Sequence, residues 1–410
     1  MDWTTALLLL TGSLVVLLAL GLPVALTFFG VNILGAIVFM HGEIGLNQMT
    51  RNVVTAITNY NLAPIPLFIL MGEILLHSGV AIKAIDAIDR LISRVPGRMA
   101  VVSVTAGTVF SALSGSSIAN TAMLGRSLMP MMLDRGYHPT LSMGPIMAAG
   151  AIAMLIPPSA LAVLVGSLAG MSISRLLLAG ITPALIMSAF FVAYIVIRAK
   201  RRPQDAPPDE HIQRSLKERW MPFVIYVLPL SGILFVVVGS LVLGWATPTE
   251  SAGLGVIASF IATICYRCLN WEVLKKTLAE TSKTSTMILF IIMASTTFSQ
   301  ILSFSGATNG IVSVVSAVGA EPLWILVMMG LVLLVLGSFV DQASMVMITV
   351  PIFIPIAKAV GIDPLWLGVI YLITMEMSFL TPPFGLLLFV MKGIAPPSIR
   401  ISTVYRAAAP

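Results

Sequence analysis

Charge is what this chain has least of. Only 10% of its 410 residues are Asp, Glu, Lys or Arg, against roughly 25% in an ordinary soluble domain. So few charges cannot clothe a soluble surface. With 58% apolar residues and a mean hydropathy of +1.01, a soluble fold is excluded. Cysteine is nearly missing too: Cys265 and Cys268 form one CxxC at the polar end of an apolar run. No second pair completes a zinc set, no βαβ pattern hosts a redox site, and a disulfide scaffold is ruled out. The sequence also lacks a GxxxxGK[ST] phosphate loop, HExxH and GxSxG, and no polar segment is long enough for an ATPase. Nothing pairs a nucleophile with its base, so the chain reads as a non-enzyme. The net charge of +6 has no basic stripe interleaved with aromatics behind it, which sets nucleic acid aside. The opening Met1-Asp2-Trp3-Thr4 has neither the basic start nor the cleavage site of a signal peptide, and is read as retained.

What the chain has instead is long apolar runs, at 5–40, 62–78, 99–133, 140–171, 176–197, 221–246, 251–266, 285–304, 322–357 and 364–395. A spanning helix takes ~20 residues, whereas a transmembrane barrel needs ~10-residue alternating segments. The runs are unbroken, so the expected fold is an all-α polytopic membrane protein, embedded in the lipid bilayer as a single domain over 1–410. Run 5–40 is long for one helix and short for two, and Gly21-Leu22-Pro23 marks either a break or a tight turn. The amphipathic stretches 83–98 and 271–283 are too polar to span and suit interfacial arms.

Basic residues orient the chain, because cytoplasmic loops are enriched in Lys and Arg. If 198–219 is cytoplasmic and runs 99–133 and 322–357 each return to the side they entered from, 20 of the 23 basic residues fall on the cytoplasmic side. Only Arg51, Arg175 and Lys358 fall outside. Plain single crossings would split the basic segments between the two faces, so both runs are predicted to be re-entrant hairpins.

The punctuating residues also repeat at one offset. Pro23, Gly30, Pro130, Gly136, Pro139, Pro157 and Pro158 match Pro248, Gly255, Pro355, Gly361, Pro364, Pro382 and Pro383, each 225 residues later. Under the topology above the two halves are inverted, with a first repeat over 22–200, a cytoplasmic loop over 201–220 and a second repeat over 221–398. Inverted repeats with interrupted helices are the architecture of secondary transporters, which bind solute near the midplane where helices break. Freed backbone groups at that depth are tolerated only where they line a cavity or pack inside protein.

Four stretches then become candidates. The first hairpin holds Ser111 through Thr121, whose hydroxyls and Gly115 let a helix stop and restart, exposing carbonyls to a cation and a helix N-terminus to an anion. Its counterpart runs from Gly337 to Ser344, with Asp341 an intramembrane carboxylate that also suits a helix cap. The paired prolines Pro157-Pro158 and Pro382-Pro383 each remove two backbone donors, freeing carbonyls in mid-helix. Glu376, just before the second pair, is expected to pair with a neighbour, face the cavity, or carry a proton. Glu73 and Glu250 are expected to support helix contacts or a helix start. His77 and His138 read as interfacial.

The motifs carrying these features resemble a known family. Pro66-Leu67-Phe68-Ile69-Leu70-Met71-Gly72-Glu73, Ser114-Gly115-Ser116-Ser117-Ile118-Ala119, Arg135-Gly136-Tyr137, Ile156-Pro157-Pro158-Ser159, Thr247-Pro248-Thr249-Glu250-Ser251-Ala252, Gly361-Ile362-Asp363-Pro364 and Thr381-Pro382-Pro383-Phe384-Gly385 occur in order along nearly the whole chain. Together they resemble the large membrane subunit of tripartite ATP-independent periplasmic (TRAP) transporters. The resemblance implies an elevator-type, sodium-coupled importer of the ion transporter superfamily, in the inner membrane of a bacterium or archaeon, moving an organic acid. It implies two partners, a small four-helix membrane subunit and a periplasmic substrate-binding protein. No four-helix block precedes Met1, so the small partner is expected as a separate chain.

By the same resemblance, Ser116, Ser117, Asn120, Ser159, Asp341, Gln342, Glu376 and Phe384 are expected to bind substrate. Na+ is expected as the coupling ion, held by Ser114, Gly115, Ser117, Asn120, Ile156, Pro157, Gly337, Asp341, Ser344, Thr381, Pro382 and Gly385. No organic cofactor is expected. The competing readings are a symporter that needs no binding protein and is coupled to sodium or protons, and a channel.

Overall fold

The structure, a computed structural model, describes residues 2–92, 95–207 and 215–410, without the side chains of Ala112 and Leu113. Arg94 and residues 208–214 of the long hydrophilic connection lie outside the described residues. Among the described residues every secondary-structure element is a helix. In order come α1 (Trp3–Ala19), α2 (Val24–Phe39), α3 (Glu43–Ile57), α4 (Pro64–His77), α5 (Val80–Leu91), α6 (Arg98–Ser114), α7 (Ser117–Asp134), α8 (Pro139–Gly150), α9 (Ala160–Leu168) and α10 (Ile173–Arg201). Then follow α11 (Leu216–Pro222), α12 (Leu228–Val242), α13 (Pro248–Cys265), α14 (Trp271–Phe304), α15 (Ala307–Val318), α16 (Pro322–Gly337), α17 (Gln342–Ala359), α18 (Pro364–Phe379), α19 (Leu386–Ile394) and α20 (Ile401–Ala408). Among the described residues, six helical stretches are long and apolar enough to cross a membrane, and six more are shorter apolar helices.

Helix starts sit where capping chemistry puts them. Pro139 and Pro364 open α8 and α18 at the position where a missing N–H costs nothing. Asp363 accepts from the Trp366 N–H at 2.9 Å. Thr247 and Glu250 form a reciprocal capping box at the start of α13, the helix-start role expected of Glu250. The 225-residue spacing reappears in the elements: α7 and α17 share both boundaries at that offset, and α8 and α18 share their starts.

Two expectations are resolved or corrected. Run 5–40 is two helices, α1 and α2, joined by a tight turn in which Gly21 takes a positive φ of 81°. Stretch 271–283 is not a separate interfacial arm. It is the first part of α14, whose 34 residues run unbroken from Trp271 to Phe304, a length of about 51 Å at 1.5 Å per residue. Between Lys283 and Met287 the chain has neither Gly nor Pro to stop a helix, so the polar stretch continues into the apolar one. Stretch 83–98 does hold a separate amphipathic helix, α5, tied down at its C-terminal end. Arg98 reaches Asp89 at 2.6 Å, and Arg219 donates to the Leu91 carbonyl at 2.6 Å.

Two groups of helices pack against each other. In one, α14 lies against α2, α3 and α4, and α13 against α4. Phe28 meets Phe298 edge-on at 5.1 Å between ring centroids, and Asn32 donates to the Ala294 carbonyl at 2.7 Å. In the other, α6, α7 and α8 pack together, α19 lies on α7, α16 on α18, and α20 on α8. The close approach of α6 to α8 depends on Gly107, where a Cβ would collide with Ala149 and come within 2.8 Å of Leu124. Gly107→Leu is therefore expected to destabilise the protein by about 1–3 kcal/mol through overpacking. Gly12→Leu, facing open space, should stay within about 0.5 kcal/mol. Thermal unfolding of both variants in detergent checks this, and equal shifts would contradict the packing described.

Candidate functional site

The first hairpin stops because Gly115 ends α6 with φ +58°, a conformation that disfavours any side chain. A Cβ there would also lie 3.0 Å from the Pro158 carbonyl oxygen, so the tip is pressed onto the first break. Ser116 restarts the chain as the N-cap of α7, accepting from the Ala119 N–H at 3.3 Å. Residues 151–159 leave the helix between α8 and α9, and Ser159 caps the restart by accepting from the Ala162 N–H at 3.2 Å. Ile156, Pro157 and Ser159 are buried.

The second half repeats the design with different chemistry. Asp341 caps α17, its Oδ2 accepting from the N–H groups of Ala343 at 3.1 Å and Ser344 at 3.3 Å, while the Ser344 hydroxyl donates to Oδ1. The cap expected of Asp341 is thus formed. Gly337, at the end of α16, touches α18 so closely that a Cβ would strike Ser378. The second break separates α18 from α19 at residues 380–385, where Thr381 donates to the Met377 carbonyl at 2.9 Å. Gly385 sits against the carbonyls of Phe379 and Thr381. Pro382 is exposed, and the freed carbonyl of Pro383 accepts from the Tyr405 hydroxyl at 2.8 Å, so the C-terminal helix α20 satisfies it. Both proline pairs are joined by a cis peptide bond.

The two tips meet at one cavity of about 320 Å³. Ser114, Gly115 and Ser116 line it from the first hairpin, and Asp341 and Gln342 from the second; Pro158 adds the first break. The opposite wall comes from α4, through Phe68, Ile69 and Glu73, and from α14, through Thr284, Met287 and Ile288. Sequence reasoning missed the apolar residues of that wall, because an apolar residue facing a cavity looks the same in sequence as one facing lipid. Gln342 Nε2 has no hydrogen-bond partner, which leaves a free donor at this wall.

Behind the first tip lies a set of buried oxygens. Asn120 Nδ2 donates to Ser111 Oγ at 2.5 Å, the Ala149 carbonyl at 3.1 Å and the Gly107 carbonyl at 3.2 Å. Its Oδ1 has no partner, and neither does Thr121 Oγ1, which lies against Gly150. Both residues are fully buried. Buried acceptors without donors are costly, and oxygens freed of donors suit a hard cation. Asn120 is among the residues expected to hold the ion, whereas Thr121 was not singled out.

Glu376 is also fully buried and joins the halves. The Ser117 hydroxyl donates to its Oε1, the Met154 N–H points at the carboxyl group, and Oε2 has no partner. It does not line the cavity. Phe384 does not line it either: more than half exposed, it stacks with Phe389 at 6.1 Å and tilts against Phe339 at 5.5 Å. The structure therefore separates a cavity group (Ser114, Gly115, Ser116, Asp341, Gln342) from a buried group behind it (Ser117, Asn120, Ser159, Glu376).

Comparison with known proteins decides the family. The profile of the tripartite ATP-independent periplasmic transporter DctM component matches residues 11–410. The chain belongs to the TRAP transporter large permease family. Among relatives of this TRAP permease, the C4-dicarboxylate TRAP transporter large permease protein DctM of Pseudomonas aeruginosa is 34% identical over 355 residues, covering 86% of this chain and 81% of the relative. The 2,3-diketo-L-gulonate TRAP transporter large permease protein YiaN of Escherichia coli is 29% identical, covering 95% and 90%. The solved Alcanivorax borkumensis YdaH transporter shares the fold, with a TM-score of 0.64 over 89% of this chain and 85% of its own at 14% identity.

The Glu376 contact yields a test within the TRAP permease itself. Glu376→Ala strands the Ser117 hydroxyl and the Met154 N–H in the interior, whereas Glu376→Gln keeps a carbonyl acceptor. The alanine variant should be less stable than the glutamine variant by about 1–3 kcal/mol. Thermal unfolding reads the difference, and equal stabilities would contradict the bridging role.

Proposed function

We propose that this chain is the transport subunit of a sodium-coupled importer of an organic acid in the inner membrane. In this reading it works with a small membrane subunit and a periplasmic binding protein that delivers the solute. The observation that carries it is the cavity: two hairpin tips from the two halves close on one space, with a free donor at Gln342 and unpartnered buried oxygens behind the first tip. Sodium suits the unpartnered oxygens of Asn120 and Thr121, beside the end of α8 at Ala149 and Gly150, and the second break with Asp341 suits a second ion. A bound cation supplies positive charge beside an anionic solute where the cavity lining has no Lys or Arg. The α7 N-terminus, capped by neutral Ser116, adds its dipole to the same end. The organic-acid class is supported by relatives whose names give C4-dicarboxylate and 2,3-diketo-L-gulonate as solutes.

The halves are inverted repeats, and the hairpins with their broken helices form the moving unit, while α2, α4, α13 and α14 form the fixed scaffold. The cavity lies on the boundary between the two, which is where an elevator needs its solute. The scaffold wall supplies Phe68, Ile69, Met287 and Ile288, apolar side chains over which the tips can slide without breaking hydrogen bonds.

In liposomes holding the permease and its small subunit, with the binding protein and radiolabelled candidate acids outside, an inward Na+ gradient should drive uptake. Replacing Na+ by K+ should abolish it. Asp341→Asn weakens the cap at the second tip and should lower uptake at least tenfold. Uptake indifferent to Na+, or equal without the binding protein, would contradict the proposal.

A further inference from the structure

A second cavity lies on the same face of α14, and it differs in chemistry from the first. It measures about 290 Å³ and is lined by Ser295, Thr296, Ser299 and Gln300 of α14, with Thr55 and Asn59 at the end of α3. Thr284, Met287 and Ile288 of the first cavity continue into Ile292, Ser295, Thr296 and Ser299 of the second at spacings of three and four, so one stripe of α14 serves both. The midpoints of the two α14 linings are about 15 Å apart at 1.5 Å per residue. The wall from the moving unit shifts the same way. On α9 it passes from Ala160 and Leu161 to Ser167 and Leu168, and on α17 from Gln342 and Ala343 to Pro351, steps of about 10 and 13 Å. Three helices therefore agree that the cavities are two positions along one seam between the scaffold and the hairpin unit.

The upper position, toward the C-terminal end of α14, is the more polar one; Thr296 there donates to the Ile292 carbonyl at 2.9 Å and Gln300 Oε1 accepts from Asn52 at 2.7 Å, while one hydroxyl is left unmet. Ser295 Oγ is buried, with 1% of the residue exposed, and has no partner. An unmet hydroxyl inside a membrane protein is unfavourable unless something polar visits it. The scaffold wall of the first cavity offers the Thr284 hydroxyl and the Glu73 carboxyl, which pairs with His77 at 3.0 Å, among apolar side chains.

We infer that the polar cavity is the second station of the solute site: in the other end state the tips of both hairpins face Ser295, Thr296, Ser299 and Gln300 instead of Thr284, Met287 and Ile288. This rests on the moving unit proposed above and assigns its stroke, about 15 Å along α14, together with the scaffold residues that meet the solute before it descends. These are neutral hydroxyl and amide groups, suited to the carboxylate and hydroxyl oxygens of an oxygen-rich organic acid without binding it tightly enough to hold it there. Arg51, one turn from Thr55 on α3, is among the few basic residues that the charge distribution places on the outer side.

Cross-linking tests the assignment without knowledge of the solute. In a Cys265→Ser, Cys268→Ser background, Gln342→Cys is paired with Thr284→Cys in one variant and with Ser299→Cys in another. Each is expressed with the small subunit in native membranes and treated with a short thiol cross-linker, with and without Na+. Both pairs should cross-link at least tenfold above the single-cysteine controls, the first reporting the position seen here and the second the upper station. Cross-linking of the Thr284 pair alone, under every ionic condition, would overturn the inference, as would failure of both pairs. Loss of Na+ dependence in the uptake assay would instead count against sodium coupling, leaving the position of the tips to be read from the cross-links.

Discussion

Inside a bilayer a backbone N–H or C=O cannot turn to water, so each must find a partner in the protein or an ion. The interruptions in the helices of this chain are built around that constraint. Its helices are interrupted at Gly115, at residues 151–159, at Asp341 and at residues 380–385, and each interruption is supported by specific groups. Ser116, Ser159 and Asp341 cap the restarting helices, and Tyr405 reaches back from the C-terminal helix to the Pro383 carbonyl. Among the buried polar atoms without a partner, Asn120 Oδ1, Thr121 Oγ1 and Gln342 Nε2 lie at or behind the two tips, and Ser295 Oγ lies on α14.

The two halves use one backbone plan with unequal chemistry. A neutral serine caps α7 and leaves its N-terminal dipole available, whereas a carboxylate caps α17 and offsets it. Glu376 then ties the second half to the first through Ser117 and the first break. The halves are thus joined at a buried point behind the cavity between the two tips.

Much of this was legible in the sequence, because breaking a membrane helix requires residues that are rare elsewhere. Paired prolines, Gly115 among serines, and an acid in an apolar run each violate the ordinary pattern, and each marks a real interruption or cap. What stayed hidden has a physical reason. Stretch 271–283 looked like an isolated amphipathic arm because polarity says nothing about where a helix ends without a breaker. The cavity wall of Phe68, Ile69, Met287 and Ile288 could not be told from lipid-facing residues. Phe384 follows the second proline pair in a motif whose resemblance implied solute contact, and in the structure its ring packs against Phe339 and Phe389, outside the lining of the cavity. Contacts such as Glu376 with Ser117, 259 residues apart, carry no local signature at all.

The most direct test of the central claim is whether sodium binds behind the first hairpin tip. Thermal unfolding of the purified complex across a Na+ series, with choline holding ionic strength constant, reads this without any solute. A ligand that binds only the folded state stabilises it by RT ln(1+[L]/Kd), about 2.7 kcal/mol at a hundredfold excess over Kd. The account predicts a saturable rise in melting temperature with Na+ that choline does not reproduce. Thr121→Val, which keeps the shape and removes the oxygen, should abolish it. A melting temperature unchanged by Na+, or a sodium effect untouched by Thr121→Val, would contradict the account.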